Sequence, residues 1–216
     1  MKILIACEAS QIMCKAFREK GHEAYSCDLE ESYGGHPEWH IKGDVLPILK
    51  EKWDMMIAHP PCTHLAVSGA RHFEKKRADG RQQQGIDLFM AFTKTDIPKV
   101  CIENPMGIMS TLYRKPDQII HPYYFGDEAQ KTTCLWLTGL PKLFHAKETD
   151  LFNDTITHVG KGEFYEFTTK AGVKKRQPMW FAKAFLNKDN SNRALDRAFR
   201  YTGVAKAMSE QWGKIA

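Results

Sequence analysis

The sequence predicts an α/β fold in which helices cover both faces of a mostly parallel sheet. Short apolar runs alternate with segments whose apolar residues recur every three to four positions, and this rhythm is typical of β-α-β units. The apolar runs end abruptly in polar, glycine or proline residues, as buried strands do. The 216 residues are enough for one such domain with a small appendage.

The first half of the chain contains most of the predicted elements. The predicted strands are Lys2–Cys7, Glu23–Asp28, Trp53–Ala58 and Val100–Glu103. The predicted helices are Gln11–Lys20, which Gly21 terminates, Arg81–Thr95 and a closing helix from about Gly203 to Ile215. Residues 1–144 and 201–216 are therefore assigned to one domain, and residues 145–200 to a small irregular lobe.

Composition limits the class of protein. The net charge of +5 permits a polyanionic partner without requiring one. Basic residues cluster at 71–81, 170–176 and 188–200; each cluster alone fits a solvated surface, but three together favour contact with phosphates.

The six cysteines form no Cys-x-x-Cys pair, which argues against a zinc ribbon or a secreted disulfide framework. Without a membrane-length apolar run or a signal peptide, we expect a cytoplasmic monomer that contacts no membrane.

Polar residues follow the predicted strands, where α/β proteins carry their chemistry. Pro60 and Pro61 stop one strand and present Cys62 on a rigid loop, where a thiol can act as a nucleophile. Glu103 ends the neighbouring strand. A thiolate that adds to C6 of a pyrimidine and an acid that donates at N3 together make C5 nucleophilic. Either segment alone is weak evidence for this chemistry, but the two segments together indicate it.

The segments Pro60-Pro61-Cys62 and Glu103-Asn104-Pro105 resemble the Pro-Cys and Glu-Asn-Val motifs of the cytosine-C5 DNA methyltransferases. The resemblance implies a Rossmann-like S-adenosylmethionine-dependent methyltransferase fold, with Cys62 as the catalytic nucleophile and Glu103 as the group that activates N3. It also implies S-adenosylmethionine as cofactor and DNA as partner, with the target base flipped out or presented in a single strand. The chain is similar to the small stand-alone members that bacteriophages and mobile elements carry.

The same resemblance implies roles for further residues. The expected cofactor-binding residues are Cys7, Glu8, Ala9, Ser10, Asp28, Asp44 and Pro60. The expected substrate-binding residues are His59, Pro61, Asn104, Gln130, Lys131, Arg71 and Arg81.

The chain departs from the family pattern in three ways. The loop after the first strand lacks the family's glycines. Thr132 and Cys134 stand where the family has two arginines that contact the target base, and Lys131 or Arg71 is expected to supply the missing charge. Residues 145–200 leave little room for a separate target-recognition domain, so we expect a reduced one or a small packed lobe.

Other functions stay open at this point. Exocyclic-amino methyltransferases resemble the chain in fold and carry two prolines at the same strand end, followed by an aromatic ring instead of a thiol. RNA or a free cytidine nucleotide could replace DNA as substrate. The degenerate cofactor loop also fits an inert methyltransferase-like protein that binds nucleic acid. A metal site at His59, Cys62 and His64 is not expected, because Pro60 and Pro61 prevent helical spacing.

Overall fold

The computed structural model describes residues 1–148, 156–169, 171–179, 182 and 201–215. Its main sheet contains β1 (Lys2–Ala6), β2 (Glu23–Asp28), β3 (His40–Lys42), β4 (Met55–Ala58), β5 (Val100–Pro105), β6 (Gln118–Ile120) and β7 (Thr133–Thr138). A separate ribbon pairs β8 (Phe164–Thr168) with β9 (Lys174–Pro178). The described helices are α1 (Ile12–Glu19), α2 (Val45–Ile48), α3 (Phe73–Ala78), α4 (Arg81–Phe92), α5 (Met109–Leu112) and α6 (Thr202–Trp212).

The main sheet has the strand order β3-β2-β1-β4-β5-β7-β6. The strands from β3 to β5 pair in parallel, whereas β7 runs antiparallel to both of its neighbours. The order reverses between β1 and β4, and open parallel sheets bind ligands at such a switch point. The structure thus has the Rossmann-like arrangement predicted for an S-adenosylmethionine-dependent methyltransferase.

Two apolar layers cover the sheet, one on each face, because successive side chains of a strand point to opposite sides. On one face Ile3 packs in a cluster with Phe17 of α1 and Trp212 of α6. On the other, Leu4 packs in a cluster with Phe89 of α4. Burying a side chain of this size contributes about 1.5–3 kcal/mol. The predicted closing helix and the helices on both faces are therefore confirmed.

The element boundaries differ from the predictions in places with identifiable causes. The sequence does not predict β3 or β6, which have three residues each and are too short for a periodic pattern. Trp53 lies before β4 and not in it, with its indole nitrogen donating to the Ile48 carbonyl at 2.9 Å. Helix α4 ends at Phe92, three residues early, and the Thr93 hydroxyl donates to the Met90 carbonyl.

Some predictions fall outside the described residues. These include the basic cluster at 188–200 and the individual residue Lys170. Of the proposed lobe at 145–200, the structure describes the β8–β9 ribbon and short flanking segments, so the division into a domain and a lobe stays a prediction. No helix in the described ranges combines the length and the apolar character needed to cross a membrane.

Candidate active site

The predicted site residues come together at one edge of the sheet. The parallel strands β1, β2, β4 and β5 end there, and the antiparallel strand β7 begins there, with Thr133 opposite Pro105. The backbone N–H of His59, just after β4, donates to the carbonyl of Ala6 at the end of β1 at 2.9 Å. The loops that follow β1 and β4 are therefore adjacent.

The loop after β1 has a glycine-like backbone without any glycine. Cys7 and Gln11 both have left-handed conformations, with φ of 60° and 59°. Such a conformation costs a residue other than glycine of order 1–3 kcal/mol. The loop after β1, predicted to bind the cofactor, thus holds two non-glycine residues in the region of φ that favours glycine.

Gln11 also ties a second loop onto the first. Its side-chain amide donates to the His36 carbonyl at 2.7 Å and accepts from the His36 N–H at 3.1 Å. Nearby, the Tyr33 N–H donates to the carbonyl of Ala9 at 3.0 Å. Gln11 is fully buried. The connection between β2 and β3 is therefore held against the predicted cofactor loop, a contact that the sequence does not reveal.

The carboxylate of Glu8 caps helix α1. Its oxygens accept hydrogen bonds from the backbone N–H groups of Met13 and Cys14, at 2.7 and 3.2 Å, and from the hydroxyl of Ser10 at 3.1 Å. The first N–H groups of a helix lack partners within the helix, and an anion is favoured at its positive end. Glu8 is buried by these contacts. The predicted cofactor contacts of Glu8 and Ser10 would be additional to this structural role.

Asp28 and Asp44 form an acidic patch beside Cys7. Burial, followed by the charges of Asp28, Cys27 and Asp44, raises the pKa of the Cys7 thiol to about 12. The Gly43 N–H bonds to the Asp28 carbonyl at 2.8 Å, which brings the ends of β2 and β3 together. Carboxylates accept hydrogen bonds from ribose hydroxyls and favour a nearby sulfonium cation. These hydrogen-bond acceptors and negative charges fit the ribose hydroxyls and the sulfonium of S-adenosylmethionine.

Cys62 lies exposed at the start of a 3₁₀ turn, Cys62–His64, whose backbone is held from two sides. Its carbonyl accepts from the N–H groups of Leu65 and Ala66, at 3.0 and 2.9 Å. The ammonium of Lys76 donates to the Thr63 carbonyl, and the amide of Gln82 donates to the His64 carbonyl. The thiol is therefore accessible on a fixed loop.

Two polar side chains that hydrogen-bond to the Cys62 loop are buried. Lys76 belongs to the basic cluster at 71–81, for which the sequence favours phosphate contact, but it is buried against the loop. Gln82, in the first turn of α4, is buried as well. Neither the position of Lys76 in α3 nor that of Gln82 in α4 gives a sequence signal for the inward orientation.

The end of β5 is joined to the same loop. The Asn104 side chain donates to the carbonyl of Pro60 at 2.8 Å. Two backbone bonds of 3.0 Å follow, from Val67 N–H to the Met106 carbonyl and from Ile108 N–H to the Leu65 carbonyl. The segment before α5 and the Cys62 loop therefore form one unit.

Glu103 in β5 pairs with His59. Nδ1 of His59 lies 3.2 Å from Oε2 of Glu103, and the two side chains are 24% and 19% exposed. Burial opposes charge on both groups. The hydrogen bond and charge of Glu103 nevertheless raise the pKa of His59, while the bond to His59 and the charge of Lys131 hold the pKa of Glu103 below its usual value. Both shifts favour an ionic pair, in which Nδ1–H of His59 donates to the carboxylate of Glu103.

The other predicted substrate-binding residues divide into two groups. Lys131 precedes β7, and its charge acts on both His59 and Glu103. Gln130 is half-buried beside it, and Pro61 is exposed immediately before Cys62. Arg71 and Arg81 instead lie exposed after the Cys62 loop, where Arg71 donates to the ring of His72 and Arg81 pairs with Asp79. Of the two expected substitutes for the family's arginines, Lys131 is thus the one whose charge reaches Glu103.

Histidines 59 and 64 face different neighbours. His59 bonds to Glu103, whereas burial and the charges of Lys76 and Arg81 lower the pKa of His64. All six cysteines lie within the described residues, and none of the six is in a disulfide.

Comparisons with known proteins gave structural matches alone. No protein-family model matches the chain, and no curated protein matches it. One similar solved structure is described as a candidate DNA modification methyltransferase encoded within a prophage of E. coli; it is 16% identical, with a TM-score of 0.47, over 86% of this chain and 64% of its own. Another is the Dnmt2 methyltransferase of S. pombe, 11% identical, with a TM-score of 0.45, over 67% of this chain and 51% of its own.

The chain therefore spans between about half and two thirds of the length of these structures. Both comparison proteins are methyltransferases by description. The strand order of this chain itself shows its Rossmann-like fold.

Proposed function

We propose that the protein transfers a methyl group from S-adenosylmethionine to C5 of cytosine in DNA. The observation that carries the proposal is the joining of two strand ends. Cys62 lies exposed on a fixed loop, and the residue next to Glu103, Asn104, bonds that loop to β5. A nucleophilic thiol on the loop after β4 and a carboxyl group in the adjacent strand β5 suit a pyrimidine ring bound between them.

The cofactor would lie at the ends of β1, β2 and β3. When bound, S-adenosylmethionine supplies an electrophilic methyl group on a sulfonium sulfur. Asp28 would accept hydrogen bonds from the ribose hydroxyls, and Asp44 would accept one from the amino group of the adenine. The turn from Cys7 to Ser10 would pass close to the cofactor, because Ala9 and Ser10 have small side chains. Pro60, buried beside Asn104, would close the site from the β4 side.

In the proposed reaction the thiolate of Cys62 forms a bond to C6 of the cytosine. The displaced π electrons reach N3, which takes up a proton with the assistance of Glu103. C5 would then take the methyl group, and the electron pair of the broken carbon–sulfur bond would stay on sulfur as a neutral thioether. A base removes the C5 proton, the thiolate leaves C6, and N3 gives back its proton. A base stacked in a duplex shields C6, so the target must be flipped out or single-stranded.

The β8–β9 ribbon is a suitable contact for nucleic acid. Lys174, Lys175 and Arg176 are exposed on β9, and the major groove of DNA admits a two-stranded ribbon. The rings of Tyr165 and Phe167 stack 6.1 Å apart on the face that they share with Lys175. A β-carbon at Gly162, just before β8, would lie 2.1 Å from the Glu128 carbonyl, so the chain entering the ribbon packs against the segment that leads into β7. We therefore propose that this ribbon replaces a larger recognition domain.

The test combines radiolabelled S-adenosylmethionine with DNA that contains 5-fluorocytosine, which cannot lose a proton from C5. We expect a covalent protein–DNA complex with the native protein and with Cys14→Ser, and none with Cys62→Ser. Cys14 is a matched control because its buried thiol donates to the Ala24 carbonyl at 3.3 Å, a bond that serine can keep.

Other outcomes separate the remaining functions. Methyl transfer to N4 of cytosine or N6 of adenine that survives in Cys62→Ser would contradict the C5 mechanism. A complex that forms on RNA or on free cytidine nucleotide, and not on DNA, would change the substrate. Absence of S-adenosylmethionine binding in a calorimetric titration would indicate an inert methyltransferase-like protein.

A further inference from the structure

Among the residues that the structure describes, His59 is the basic side chain within 4 Å of the Glu103 carboxylate. A carboxylate that is largely removed from water needs a partner, because an isolated charge is strongly disfavoured there. Thr132 and Cys134 stand in place of the two base-contacting arginines of the resembling family, on the β7 side of β5. His59 approaches Glu103 from the other neighbouring strand, β4, with Nδ1 at 3.2 Å from Oε2 of Glu103.

Backbone hydrogen bonds at the end of β4 fix the position of His59. Its backbone N–H bonds to Ala6 at 2.9 Å, and β4 pairs with β5 up to Ala58 and Ile102, the residues just before His59 and Glu103. The imidazole and the carboxylate therefore leave adjacent strands at the same level. This placement depends on the strand register and not on a mobile loop.

We propose that His59 is a positioning residue for Glu103 and that the His59–Glu103 pair stores the proton that N3 of the target base takes up. The inference rests on the proposed cytosine-C5 reaction. Imidazole differs here from guanidinium, which stays protonated throughout the physiological range and cannot give up a proton.

The proton can be followed through the cycle. When the thiolate of Cys62 bonds to C6, the electron pair moves to N3. The proton on Nδ1 passes to the carboxyl group of Glu103, which becomes the donor to N3, and His59 is left neutral. After methyl transfer and loss of the C5 proton, expulsion of the thiolate reverses the flow. N3 returns its proton to Glu103, and Nδ1 is protonated again.

Three charged groups act on the His59 imidazole. Glu103 in β5 and Glu8 after β1 favour its protonation, and Lys131 before β7 disfavours it. Against the opposing effects of burial and Lys131, the hydrogen bond to Glu103 and the charges of Glu103 and Glu8 raise the pKa of His59 above its ordinary value of about 6.5. The pair therefore loses its proton as the pH rises through that raised pKa, and the rate of C5 transfer should fall over the same range.

The first experiment needs no substrate. Titration of the intact protein by NMR should give a His59 imidazole with a pKa above 6.5, and Glu103→Gln should lower that pKa. This outcome depends on the pair alone and holds whether or not the protein transfers methyl groups. A His59 pKa at or below 6.5, or one that Glu103→Gln leaves unchanged, would overturn the inference while leaving the proposed function intact.

The second experiment measures the pH profile of kcat. The native profile should fall on the alkaline side at the pKa found by NMR. His59→Gln should lower kcat by about 100-fold, the order expected for loss of a positioned proton donor, and should remove that limb with little change in KM. His59→Arg keeps a cation beside Glu103 but stores no transferable proton, so it should not restore kcat.

His22→Gln serves as the matched control, because His22 lies before β2 at the opposite edge of the sheet and should keep the native profile. Full activity in His59→Gln, or full rescue by His59→Arg, would contradict the proton store. Failure of the native protein to form the Cys62-dependent DNA complex would instead count against the proposed function.

Discussion

The side-chain amide of Asn104 donates a hydrogen bond of 2.8 Å to the carbonyl oxygen of Pro60. This bond crosses from β5 to the loop that carries Cys62, so the carboxylate strand and the nucleophile loop cannot shift independently. Asn104 is buried, and the loss of a buried hydrogen-bond partner typically costs about 1–3 kcal/mol. Accurate placement of the two reactive groups thus depends on contacts that are not themselves reactive.

The turn after Asn104 gives the first prediction. A β-carbon at Gly107 would lie 2.3 Å from the carbonyl oxygen of Leu65, where the two segments cross. Gly107→Ala should therefore displace the Cys62 loop, lower the stability by about 1–3 kcal/mol and slow formation of the DNA complex at least tenfold. Gly160→Ala is the control, since its nearest atom would be 3.9 Å away. Native unfolding temperature and reaction rate in Gly107→Ala would contradict this account.

The second prediction separates the two effects of Gln11. Gln11→Ala removes the bonds to His36 but keeps a side chain in the left-handed conformation, whereas Gln11→Gly removes the bonds and relieves the strain. Both variants should be less stable than the native protein. The glycine variant should be the more stable of the two by about 1 kcal/mol. Chemical denaturation measures the difference, and equal stabilities would show that the φ of Gln11 carries no strain.

The third prediction concerns acid stability. Nδ1 of His145 and Nε2 of His158 lie 2.9 Å apart, and the ring of Tyr124 stacks on both. Burial and the charge of its partner lower the pKa of His145, and burial and Lys147 lower that of His158. The unfolded chain therefore binds protons first as the pH falls. The two rings therefore contribute fully to the free energy of unfolding above about pH 6.5. That contribution is lost progressively as the pH falls from there through their lowered pKa values.

Urea denaturation between pH 7.5 and 5 tests this dependence. The free energy of unfolding should fall with pH in the native protein and should fall less steeply in His158→Gln. Identical slopes for the two proteins would show that the histidine pair does not sense pH.

The fourth prediction concerns the β8–β9 ribbon. If Lys175 contacts a phosphate, Lys175→Gln should weaken DNA binding and reduce the slope of log K against log salt by about 0.9. Lys52→Gln is the control, because Lys52 is exposed before β4, at the opposite edge of the sheet. Fluorescence anisotropy over a range of salt concentrations gives both slopes. Equal slopes for Lys175→Gln and the native protein would exclude a phosphate contact by this residue.

Much of the fold follows from local patterns in the sequence. Buried parallel strands appear as apolar runs, and the bounds predicted for β2 are those observed. Both Cys62 and Glu103 lie at the expected edge, because the ends of parallel strands meet there. The features that the sequence does not reveal depend on three-dimensional register or backbone conformation. The ion pair of His59 with Glu103 requires the alignment of β4 with β5, and the inward position of Lys76 requires the packing of α3 on the Cys62 loop.

The capping of α1 by Glu8 has a consequence for ligand recognition. Many proteins hold the phosphate or carboxylate of a ligand at the N-terminus of the first helix in such a fold. Here that electropositive end is already neutralised from within, because the N–H groups of Met13 and Cys14 are bonded to Glu8. An anionic ligand group would meet a negative charge there. Small molecules with an acidic tail, which suit nucleotide-binding folds in general, should therefore bind poorly at this helix, and cationic ones should be tolerated.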